Sequence, residues 1–120
     1  MRLWHQSLIS SLPRQQLLGQ HRECCALRGK GWGKPHSTVN YVFNYSPMCL
    51  YYYQKIVMKE MLKRGYKPDE KWQDPLYRGK HIKKYDHIID AERLSVVYQE
   101  HNAKYLEECI INLRNKGVDI

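Results

Sequence analysis

The sequence predicts an all-α, compact single domain over residues 1–120, with two or three long helices and long basic loops. Three observations carry this. Apolar residues recur at helical spacing in 8–23, 46–64 and 90–117. The one stretch with strand-like alternation has no convincing second strand to pair with. A chain of 120 residues is long enough for one core and too short for two.

Residues 1–7 form a short arm in which Arg2 and His5 are polar or basic while Leu3 and Trp4 can pin it to a core. LISSLPRQQLLGQHRE, Leu8 to Glu23, then reads as a capped helix. Ser10 or Ser11 can cap it, and Pro13 fits its first turn, where a missing N–H costs nothing. At 100° per residue, Leu17, His21 and Cys24 share one side, with Leu18 and Cys25 beside them. Gln15, Gly19, Arg22 and Glu23 share the other, and Gly19 leaves the backbone open to close approach.

The next stretch, LRGKGWGKPH (27–36), is broken by three glycines and a proline. Its N–H groups, Arg28, Lys30 and Lys34 suit a phosphate backbone. It is not a nucleotide-hydrolysing loop, because the G-K dipeptides lack the required spacing and the following Ser or Thr. In TVNYVFNY (38–45), Val39, Tyr41, Phe43 and Tyr45 alternate as in a strand, but a short helix or an extended buried segment fits at least as well. Ser46-Pro47 opens the clearest helix, which runs to Arg64 and stops at Gly65. Its inward side carries Leu50, Tyr53, Val57, Met61 and Leu62, and its outer row Lys55, Lys59 and Lys63. Tyr66 to Lys84 is a basic loop with at most one short turn, anchored by Trp72 and Tyr77. A last helix is expected from about Asp90 to Gly117, on the stripe Leu94, Val97, Tyr98, His101, Tyr105 and Cys109; His101 on that stripe fits a hydrogen-bonded core position better than a catalytic one.

Lys and Arg number 20 against 12 Asp and Glu, a formal charge of +8, which favours an anionic partner. Ten tyrosines and three tryptophans beside that charge suit nucleic-acid bases better than lipid. There is no run of 18 apolar residues and no secretory signal in MRLWHQSLIS, so a cytoplasmic, nucleoid-associated location is expected and no membrane partner. Cys24 and Cys25 are adjacent while Cys49 and Cys109 lie in apolar helical patterns, which fits reduced, buried thiols. Without a C-x-x-C or an H-x-x-x-H, no metal and no cofactor are expected.

No Ser-His-Asp or Cys-His spacing stands above chance, which leaves the α-amine of Met1 as the candidate nucleophile. With a pKa of about 7.7–8.0, roughly a tenth of it is unprotonated at pH 7, against a few parts in ten thousand for a lysine at about 10.4. An amine near C1′ of a damaged nucleotide can displace the base and form a Schiff base, and a nearby carboxylate, here Glu23, can assist ring opening and proton transfers.

LISSLPRQQLLGQHRE resembles the opening helix of the phage-type pyrimidine-dimer DNA glycosylases, often called endonuclease V, and MLKRGYKP resembles the end of their second long helix. The resemblance covers about residues 1–66. It implies combined glycosylase and abasic-site lyase activity on double-stranded DNA, a compact helical monomer, a Schiff base at the N-terminal amine, a catalytic glutamate at Glu23, and DNA contacts at Arg2, Gln15 and Arg22. Three departures accompany it. A bulky Arg2 should retain Met1 where the phage enzymes expose a threonine. Ala26 stands where they carry an arginine, leaving Arg28 as the nearest substitute. The chain ends NLRNKGVDI rather than in an aromatic-rich segment. The alternative is a nucleic-acid-binding protein without catalysis.

Overall fold

Pro13 stands just before the first α-helix. In the computed structural model, which describes residues 2–120, α1 spans Arg14–Arg28 with Pro13 as its N-cap. Neither Ser10 nor Ser11 caps it. Both lie in a separate 3-10 turn, Gln6–Ser11, whose own cap is the His5 side chain accepting from the Ser7 N–H. Leu12, held extended by the proline that follows, separates the two elements. The helix continues past Glu23 to Arg28, where the Gly29 N–H closes on the Cys25 and Ala26 carbonyls. The chain then folds back so tightly that a Cβ on Gly31 would lie 2.8 Å from the Ala26 carbonyl oxygen.

The second helix, α2, spans Pro47–Lys63, with the Ser46 hydroxyl accepting from the Met48 N–H and Gly65 (φ +85°) ending it. Leu50, Tyr53, Val57 and Met61 are buried as expected. Leu62 is not: at 55% exposed it sits a further 100° round, towards the lysine side. Helix α1 packs against α2, as do the Gln6–Ser11 turn and a second 3-10 turn at Asn40–Asn44. That second turn resolves the 38–45 ambiguity in favour of a short helix; Val39 and Val42 are buried, and there is no strand among the described residues. Arg64 ties the first turn to α2, its guanidinium donating to the Leu12 and Ser10 carbonyls while Nε pairs with Glu60 at 2.8 Å. Residues 66–84 form the expected loop, with one 3-10 turn at Glu70–Gln73.

The third helix is shorter than its stripe predicts. Helix α3 spans Ala103–Asn115, and residues 90–102 are irregular, with Leu94 half exposed. The cap decides the start: the Asn102 side chain accepts from the Tyr105 N–H, and no comparable cap opens a helix at Asp90, whose carboxylate instead accepts from the adjacent Ala91 N–H and the Tyr52 hydroxyl. Tyr98 and His101 reach the core from the irregular segment.

His101 is a hydrogen-bonded core histidine. Its Nδ1 accepts from the Gln6 N–H at 3.2 Å, so Nε2 carries the proton and faces the Tyr41 hydroxyl at 2.8 Å. Burial, reinforced by His5, lowers its pKa to about 3. The folded value lies below the unfolded one, so the unfolded chain binds the proton first. This contribution to stability is complete above pH ~6.5 and is lost as pH falls towards 3, at up to about 1.4 kcal/mol per pH unit. Urea midpoints should therefore decline from pH 6.5 to 5, before carboxylates titrate; a flat profile would contradict a neutral buried His101.

Candidate functional site on the exposed face of α1

The arm is fixed to α1 by one buried glutamine. Gln20 accepts from the Trp4 N–H at 2.6 Å and donates through Nε2 to the Arg2 carbonyl at 3.1 Å. The Tyr53 hydroxyl of α2 places its single proton between the Trp4 carbonyl (2.6 Å) and Gln20 Oε1 (2.9 Å). Leu3 is fully buried, and its carbonyl accepts from the Tyr105 hydroxyl of α3. All three helices therefore hold the backbone of residues 2–4. Met1 lies outside the described residues.

Beside this clamp lies an open cleft of about 490 Å³. Arg2, Gln15, Gly19, Arg22 and Glu23 all line it, so the fold brings the arm, whose position helical spacing does not fix, to the polar face of α1. Arg22 folds back over Gly19, with Nη2 3.7 Å from where a Cβ would stand. The Arg2 guanidinium is held by Glu108 at 3.3 Å and lies 5.6 Å over the Tyr105 ring, which keeps its net charge contribution to the cleft modest. Among the described residues Glu23 is the only carboxylate in the lining, beside Arg2, Arg22 and Lys116. A smaller groove lined by Arg14, Gln15, Leu18 and Arg22 continues the cleft towards the start of α1.

Sequence reasoning missed Gln16, Gln20, Thr38, Asn112 and Lys116, which with Trp4 of the arm complete the lining. Gln16 and Gln20 carry a signal that could have found them, since 16, 19, 20 and 23 share a helix face. Thr38 precedes the Asn40–Asn44 turn and Asn112 and Lys116 lie one turn apart at the end of α3; no local pattern joins these to residue 23.

Lys30 and Lys34 are exposed on the loop after α1, outside the cleft lining. Arg28, expected on that phosphate-following loop, is corrected by its burial: it is 4% exposed and faces inward. Its guanidinium donates to Gln54 Oε1 and to the carbonyls of Trp72, Asp74 and Tyr77, at 2.6–2.9 Å. The Trp72 and Tyr51 rings lie 4.9 and 5.4 Å away. Arg28 therefore binds the 66–84 loop to the helices, and does not replace the arginine that Ala26 lacks; the added cation at the cleft is Lys116.

The fold also brings Cys25 Sγ within 3.7 Å of His21 Nε2. Burial pushes that thiol up to about 11, so it is protonated at neutral pH and is no nucleophile. The other three cysteines are buried free thiols.

No curated protein and no solved structure matches the chain. The family profile described as pyrimidine dimer DNA glycosylase matches residues 1–74, which include the arm, α1, α2 and every cleft residue except Asn112 and Lys116. The chain belongs to the pyrimidine dimer DNA glycosylase family, and by that membership is a DNA-repair enzyme acting on DNA.

Proposed function

We propose that the enzyme is a monomeric glycosylase with abasic-site lyase activity, working through a Schiff base at the Met1 amine with Glu23 as the catalytic carboxylate. The observation that supports this best is the Gln20 clamp, which holds the Arg2 carbonyl against α1 while Arg2 and Glu23 line one cleft. Met1 is the residue that precedes Arg2 in the sequence.

In this reading the amine lone pair attacks C1′, and the glycosidic electron pair leaves with the base. Protonation of the sugar ring oxygen opens the ring to an iminium. Loss of a C2′ proton then expels the 3′-phosphate, and water releases the amine. Glu23 serves the ring opening and the proton transfers. Arg2, Gln15, Arg22, Lys30 and Lys34 hold the duplex, and extrusion of the damaged nucleotide is least costly where pairing is already lost. The expected site of action is the cytoplasmic nucleoid.

Borohydride tests the reading directly. Reduction of the protein with a duplex carrying one abasic site should give a covalent band mapping to Met1, and acetylation of the N-terminus should remove it. Intact DNA binding with no band would favour a binder without this chemistry.

A further inference from the structure

Away from the α1 cleft lies a second open groove of about 490 Å³, sharing no lining residue with it. Its walls carry the rings of Trp32, Phe43, Tyr45, Tyr85 and His87, with Ile89, 77% exposed, at its edge. Trp32 meets Phe43 edge-on at 5.1 Å. The walls are held in place from below. Arg78 donates to the Arg28 and Gly29 carbonyls while its guanidinium stacks 4.4 Å from the Tyr85 ring. Across the groove, the Ser46 hydroxyl donates to the Ile89 carbonyl and the Tyr45 hydroxyl to Glu100.

An aromatic groove of this kind has to be matched to an occupant. The groove is lined by Trp32, by residues of 43–47 and by residues of 85–89, and the loops that carry Trp32 and Tyr85, 29–36 and 78–89, contain six cations (Lys30, Lys34, Arg78, Lys80, Lys83, Lys84) against Asp86 alone. Rings set among that charge fit a ligand with a flat π-face on an anionic backbone. The His87 ring in the lining offers polar nitrogens that suit an occupant with donors and acceptors on its edge better than an acyl chain.

We propose that this groove takes unpaired bases of single-stranded DNA, stacking them on its rings while the flanking lysines follow the phosphates. The proposal rests on the reading that the enzyme acts on DNA, and adds a contact outside the lesion site. The molecule's longest extent is 41 Å, about twelve base pairs of B-DNA, so a duplex of modest length with a single-stranded flank is long enough to span it. Lesions beside a gap or single-stranded flank would then be bound more tightly than lesions in continuous duplex.

Photo-crosslinking with an oligothymidylate carrying 5-iodouracil tests this. Crosslinks should map to peptides containing Trp32, Phe43, Tyr45 or Tyr85. Ile89→Glu, at an exposed position where folding is not at stake, should weaken single-strand affinity by about fivefold or more. Trp32→Ala should do the same, and Ile89→Glu should still trap on a blunt abasic duplex. Crosslinks confined to α1 peptides, or unchanged single-strand affinity in Ile89→Glu, would each overturn it. Trapping without crosslinking removes the groove contact alone; crosslinking without trapping removes the lyase reading and leaves the groove.

Discussion

Glu23→Gln is expected to lower strand cleavage at an abasic site by about 10²–10⁴-fold, the usual range for loss of a positioned acid or base, while DNA affinity stays within a few-fold. Glutamine keeps the size and hydrogen-bonding capacity of the side chain but cannot take up a proton. It also removes the negative charge of Glu23 from a cleft lined by Arg2, Arg22 and Lys116, so binding to phosphate should hold or tighten. Single-turnover cleavage with enzyme in excess, paired with fluorescence anisotropy on uncleaved duplex, separates the two effects. Parallel loss of binding would make Glu23 structural; unchanged cleavage would pass the proton transfers to another group.

Arg28→Met should cost on the order of 3–5 kcal/mol, because the methionine fills the space but strands four acceptors, the buried Gln54 Oε1 and three part-buried carbonyls, that a charged donor now satisfies. Against a total stability of about 5–15 kcal/mol, that corresponds to a fall in Tm on the order of 10–20 °C. Arg28→Lys should recover less than half of it. An ammonium keeps the charge but cannot present a planar fork to four oxygens or stack between Trp72 and Tyr51. Calorimetry on the three proteins checks the order Arg, Lys, Met. A wild-type Tm in Arg28→Met with weakened DNA binding would restore Arg28 to the phosphate-contacting role that its glycine-rich neighbourhood suggests.

Arg28 shows why local composition misleads. A basic residue beside Gly29, Lys30 and Gly31 reads as surface, and only the loop's return puts the carbonyls of residues 72–77 around it. The last helix fails for a related reason. The stripe from Leu94 to Cys109 keeps its period, but period reports which side chains face the core and not the backbone that carries them there; Asn102 supplies the cap and sets the start. Leu62, one residue beyond Met61, shows the 100° precision that a stripe drawn by eye lacks.

Relations between near neighbours are legible along the chain: helices at α1 and α2, the stop at Gly65, the pairing of Gln15, Gly19, Arg22 and Glu23 on one face, the arm pinned by Leu3 and Trp4, and the family that these residues carry. Helical geometry fixes such relations within a few residues. Only the tertiary structure decided that Gln20 is a buried clamp, that Arg28 points inward, and that Thr38, Asn112 and Lys116 close the cleft. Those contacts join residues far apart in the chain, at distances in sequence where no periodicity constrains them, and many of their partners are backbone carbonyls and N–H groups that nearly every residue carries alike.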